Sequence, residues 1–180
     1  MTLGDDIAAG IHQRAEALGF GKRRSTVFWS WWCGATLAIA WSAEAILSVV
    51  LGQTPDRGFV MAALGIIVSA IGWALTARTR FSSKPPKPAT DAERLEQGIP
   101  LYPRIVAASI ILTAALVVVL ALINPGGTTR EVIPFLGLVA AAGLSLTGGL
   151  ARSGWLMTNS SALYPRWLER RGQLAPSSTP

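Results

Sequence analysis

One carboxylate is the clearest candidate for chemistry in this chain. Glu44 lies inside Thr26 to Leu51, TVFWSWWCGATLAIAWSAEAILSVVL, an apolar run with no other charged residue. Roughly 20 apolar residues suffice for a helix to cross a bilayer. At 1.5 Å per residue, Glu44 falls about five residues past the middle of that span, roughly 7–8 Å from the midplane. A charge near the bilayer centre costs about 2.5–3.5 kcal/mol, less toward an interface, and such residues default to function. Ala40, Trp41 and Ser48 share its helix face. Ser48 is spaced to hydrogen-bond the carboxyl, and Trp41 to line the same site. At that depth the other apolar runs offer Ala62 to Gly65, Leu116 to Val119 and Gly137 to Ala140, none of them polar. Three states of Glu44 follow: protonated in its apolar surroundings, paired with Arg57 or Arg130 from the outer turns, or partnered by another chain or a ligand.

No other group reaches that standard. His12 has no companion at ligand spacing and reads as a surface residue. Cys33 is a single thiol, which excludes an internal disulfide and a cysteine metal site, and such a thiol packs as a small hydrophobe. Asp91, Glu93 and Glu96 cluster without the twelve-residue calcium-loop pattern and read as a solvated face. Gly126-Gly127-Thr128-Thr129 has the small residues of a phosphate loop but lacks its Lys and follows no strand. No nucleophile, base or metal constellation is present, so neither enzymatic activity nor a metal or cofactor is expected.

The elements that position Glu44 are membrane spans. The chain is 51% hydrophobic and 14% charged, with mean hydropathy +0.42. Soluble domains carry about 25% charged residues. Arg outnumbers Lys thirteen to three, and Ala and Gly are abundant. That is the codon bias of a GC-rich genome and suggests the cytoplasmic membrane of a bacterium, or a phage of one. The first apolar run exceeds a signal-peptide core of roughly 7–15 residues, so it reads as retained.

Residues 1–25 form an amphipathic segment. Asp5 and Asp6 suit a helix start, Ile7, Ile11 and Leu18 share a face, and Gly19 and Gly21 are expected to stop the pattern before Lys22, Arg23 and Arg24. Such a segment lies on the membrane surface or frays as a tail. Residues 26–76 are the first hairpin. Phe28, Trp29, Trp31 and Trp32 open it as an aromatic belt. Gly34, Ala38 and Ser42 give the first span a smooth face, and Gly65, Ser69 and Gly72 do so on the second. Residues 77–104 are a Pro-rich loop. Its Ser-Ser-Lys-Pro-Pro-Lys-Pro core excludes helix, and one helical turn capped near Asp91 is expected to end at Gly98 and Pro100. Residues 105–150 are the second hairpin. Its third span is aliphatic and lipid-facing. Its fourth carries Gly137, Ala141, Ser145 and Gly149 four apart, the strongest packing signal in the chain. Residues 151–180 are a basic tail in which Leu163-Tyr164-Pro165 breaks any long helix and the final LAPSSTP is disordered.

The predicted fold is an all-α integral membrane protein, a four-transmembrane-helix bundle of two antiparallel hairpins. The second and fourth helices are expected to turn their small faces inward. Four spans place both termini on one side, with fourteen of the sixteen basic residues, leaving Arg57 and Arg130 on the other. The positive-inside rule makes the terminal side cytoplasmic. The basic residues gather around span ends, which suits the bilayer and its anionic lipid headgroups better than nucleic acid.

Small packing faces without a catalytic set predict a non-enzymatic interaction protein. It would be an accessory, assembly or regulatory subunit of a larger membrane complex, partnered by other membrane subunits or by itself. A second expectation is a small oligomeric transporter or channel. A glutamate in the first of four helices is similar to the small multidrug resistance transporters, a resemblance that extends to Glu44 and the helix count. It implies that Glu44 couples drug and proton, with Trp41 and Ser48 lining the site. This chain departs from that family in its 28-residue loop and in a third span without tryptophan.

Overall fold

The structure, a computed structural model, describes residues 3–82, 84–123 and 129–171, with the side chains of 3–8 and 129–131 left aside. The turn after Ile123 with its Gly-Gly-Thr motif, the Arg130 side chain, the acidic pair at the N-terminus and the end of the tail lie outside the described residues. All regular elements among the described residues are helical. They are α1 (Leu3–Val50), α2 (Asp56–Leu75), α3 (Ala77–Phe81), α4 (Ala92–Gly98), a 3-10 turn (Ile99–Leu101), α5 (Tyr102–Ile123), α6 (Thr129–Thr158) and α7 (Ser160–Arg170). Helices α1, α2, α5 and α6 are long and apolar enough to cross a membrane.

The expected helix stop at Gly19 and Gly21 is not there. α1 runs unbroken for 48 residues, about 72 Å at 1.5 Å per residue. A bilayer core is about 30 Å thick, so α1 is longer than one crossing needs, and the N-terminal segment continues the same helix. The two glycines serve close approach. A Cβ on Gly21 would meet Ser160 Cβ at 3.0 Å and Met157 Sδ at 3.2 Å, and one on Gly19 would strike the Lys87 carbonyl oxygen. Packing of other segments against this stretch offsets the glycines' low helix propensity of about 1 kcal/mol each.

Pro165 does not break the tail either. The break falls at Asn159, whose side chain donates to the Trp155 carbonyl (2.9 Å) and whose own carbonyl accepts from the Leu163 amide (2.9 Å). α7 then passes through Pro165. It is held by a core of Ala17, Phe20 and Tyr164, with Leu163, Trp167 and Leu168 packed around it. Nor does Pro100 end the helical path, since the 3-10 turn carries it straight into α5.

The four long helices pack as a row in the order α2, α1, α6, α5. α2 packs on α1, α6 on the other side of α1, and α5 on α6; α2 makes no extensive contact with α5 or α6 among the described residues. α1 is therefore the centre of the layer, and no residue of α5 is buried. A closed bundle would give each helix two neighbours, whereas α2 and α5 each have one.

Small residues set the α1–α2 contact. Cβ atoms built on Gly34, Gly65 and Gly72 would run into the backbone of Ser69, Ala38 and Ser30 respectively. The pairing of Gly72 with Ser30 and of Gly58 with Ala45 makes α2 antiparallel to α1. On the other side of α1 the seam is hydroxyl and indole. Ser25 and Ser153 share a hydrogen bond (2.9 Å), Trp29 Nε1 donates to Ser153 (2.6 Å), Trp32 Nε1 to the Ser145 carbonyl (3.0 Å), and Thr36 bonds Ser145 (3.0 Å). Ser109 and Thr147 do the same between α5 and α6 (2.7 Å). Polar side chains in lipid hold helices together because their alternative is an unsatisfied group in hydrocarbon.

The strict four-residue series on α6 meets α1. Gly137 faces Leu47, Gly149 lies within 2.6–2.8 Å of the Trp32 and Trp29 rings on the same Cβ construction, and Ser145 is buried. Substituting Ser145 with Leu should lose the Thr36 bond and overfill the seam, at about 1–3 kcal/mol. A lowered melting temperature in detergent is expected, and an unchanged one would mean the face is not buried.

Candidate functional site

Glu44 projects from the C-terminal part of α1 toward the first turn of α2. Its Oε1 accepts a hydrogen bond from Ser48 Oγ at 3.4 Å, a weak contact one helical turn away. Ser48 itself is only 2% exposed. The other oxygen, Oε2, is buried and has no hydrogen-bond partner among the described residues. It lies directly against Gly58, where a Cβ would collide with it. Gly58 is the third residue of α2. The carboxyl therefore sits beside a helix N-terminus, where unpaired amides and the macrodipole favour negative charge.

Trp41 contributes in another way. The Arg57 guanidinium stands over its ring, 5.4 Å from the centroid. Arg57 is thus held by a cation–π contact one turn from Glu44 and does not form an ion pair with it. The ion pairs among the described residues are Arg14–Glu96 (2.5 Å) and Lys22–Asp91 (3.3 Å), and His12 Nε2 lies 3.4 Å from Glu16. Trp41, Glu44 and Ser48 are brought together, as their spacing of three and four requires. The group that completes the site is the backbone of Gly58, invisible to a search for polar partners because glycine offers none. A sequence signal existed: a small residue near the start of the next helix, opposite the carboxylate across a short turn. Chemically the site offers a single carboxyl group with one oxygen open to a donor or a cation.

The other sequence candidates are dispersed. Cys33 is exposed on α1. His12 is exposed and pairs with Glu16. The acidic cluster is not simply solvated: Glu96 and Asp91 bind Arg14 and Lys22, clamping α4 and the loop before it to α1. Unnoticed in the sequence was Tyr164, 3% exposed, whose hydroxyl donates to Glu16 Oε2 (3.3 Å). Burial and then that carboxylate push the tyrosine hydroxyl up from its ordinary value.

Comparison with known protein families, curated proteins and solved structures finds no match to this chain. The chemistry of the site therefore has to be read from its own residues.

Proposed function

We propose that this chain is a non-enzymatic protein of the cytoplasmic membrane, an accessory, assembly or regulatory subunit of a larger membrane complex. Its two antiparallel hairpins cross the bilayer with both termini cytoplasmic, the side that carries fourteen of the sixteen basic residues. The observation that carries the reading is the open row of helices. A row leaves both broad faces of the layer and the side of α5 away from α6 uncovered, which suits lateral packing against other spanning helices. The packed α1–α7 unit on the basic end supplies a second, water-facing surface.

The test is native mass spectrometry of the protein extracted from its own membranes in mild detergent, with photo-crosslinkers at Ile111 and Leu112 of α5. Both are about 70% exposed. A stoichiometric complex with a different membrane subunit crosslinked through α5 is expected. A homo-oligomer or a bare monomer without such crosslinks overturns the reading.

A second reading is a small oligomeric transporter or channel, supported by one specific feature: the buried Oε2 of Glu44, which has no partner among the described residues. In a row, a lumen needs a second copy of the chain. Proton-driven uptake into liposomes by the native protein, abolished in Glu44→Gln, would establish this alternative. Equal fluxes in both would end it.

A further inference from the structure

Where the apolar part of α1 begins and α2 ends, the stretch 84–90 folds back over α1 as a strap. The Ala89 amide donates to the Ala15 carbonyl at 2.9 Å. Gly19 makes room for it, since a side chain there would strike the Lys87 carbonyl. Between strap and helices lies a cleft of about 360 Å³, with Lys22, Arg23 and Lys87 on its walls and Asp91 as its acid. Asp91 is already matched by Lys22 Nζ, at 3.3 and 3.4 Å. Arg23 donates only to backbone carbonyls, those of Thr79 and Lys84 (3.1 Å to the latter). No carboxylate answers its charge among the described residues. Lys87 is exposed and makes no ion pair among the described residues.

The surroundings deepen the surplus. Arg24, beside Arg23, is opposed by loss of solvent and by the guanidiniums of Arg152, Arg170 and Arg23. Arg80 lines a neighbouring cleft with Arg23 and Arg24; it is stacked 3.1 Å over the Trp73 ring, and its Nε and Nη1 are buried with no hydrogen-bond partner among the described residues. Three cations around a single acid, which only Lys22 engages, leave the positive surplus that a phosphate complements.

We propose that this cleft binds the phosphate of an anionic phospholipid headgroup, with Arg23 and Lys87 as its charged ligands. A lipid is favoured over a soluble phosphate ester by position. The lining includes Thr26 and Val27, where the first span starts, and Thr76, where the second ends, with Pro86 and Pro88 on the strap, so a headgroup held there would have its acyl chains beside the apolar helices. The proposal rests on the reading that those helices lie in a bilayer.

The test is native mass spectrometry of the detergent-solubilised full chain titrated with phosphatidylglycerol, phosphatidylcholine or glycerol phosphate. Phosphatidylglycerol should be retained over phosphatidylcholine. Its binding should weaken about fivefold in Lys87→Gln and again in Lys87→Gln with Arg23→Gln, about the effect of one basic residue on an anionic lipid. Lys87→Gln removes only an exposed, unpaired ammonium, so its fold is safe even where Arg23→Gln loosens the strap. Equal retention of the two lipids, or no change in Lys87→Gln, overturns the site. Glycerol phosphate binding as tightly as the lipid overturns the lipid as ligand. A chain monodisperse without detergent would instead overturn the membrane reading beneath it.

Discussion

Replacing Gly65 with Leu is expected to cost about 3 kcal/mol or more and to push α2 off α1, the upper end of what overfilling a packed interface does. The size of the effect comes from what the new side chain meets. A Cβ at Gly65 would stand 2.5 Å from the Ala38 nitrogen, 2.9 Å from its Cα and 2.9 Å from the Gly34 carbonyl oxygen. All three are backbone, so no rotamer change relieves the clash and the helices must separate. Separation breaks the whole zip of small residues, because Gly34 leans on Ser69 and Gly72 on Ser30 in the same way. It also withdraws Gly58 from Glu44. Gly148→Leu is the matched control, a glycine of a spanning helix with nothing within 4 Å of its would-be Cβ. Thermal unfolding in detergent should show a large drop for the first and almost none for the second. Equal shifts would mean that helix–helix approach is not what the glycine provides.

The second large effect is expected at Phe20. Phe20 is 4% exposed and touches both aromatics of α7, with ring centroids 5.6 Å from Tyr164 and 5.8 Å from Trp167. Phe20→Ala should cost about 3–5 kcal/mol, the usual range for emptying a buried aromatic site. The loss is local, because this core is a satellite cluster on the basic end, built from the extension of α1 and from α7. Hydrogen exchange of the α7 amides should therefore accelerate by roughly a hundredfold or more, while α2 and α5 change little. Ile11→Ala, at a residue 65% exposed on the same extension, should leave exchange alone. Unchanged protection of α7 in Phe20→Ala would show that the tail is held by something other than this aromatic cluster.

The failures of local reading have a common cause. Gly19, Gly21 and Pro165 each carry a strong intrinsic preference against helix, and each sits inside one. Propensity of about 1 kcal/mol per glycine decides a short isolated segment, and loses once several tertiary contacts bear on the same turn. The pairing of Arg14 with Glu96 across eighty-two positions, and the strap on Gly19, were beyond any window of periodicity. So was the setting of Glu44: Trp41 and Ser48 lie on its own helix at fixed spacing, but the approach of Gly58 depends on how α2 returns after the turn.

What the sequence determined by itself is the set of apolar helices and their number, because crossing hydrocarbon demands length and internal hydrogen bonding that only such runs supply. It also marked the faces that pack, through glycines and serines at spacings of three and four on α1, α2 and α6. What only the tertiary structure decided is which face meets which. Small-residue stripes are alike and interchangeable in sequence, and the choice among partners rests on backbone approach within a few tenths of an ångström. That choice made α1 the centre of an open row and not one member of a closed bundle, set the unpaired oxygen of Glu44 against the start of α2, and turned a basic loop into a cleft.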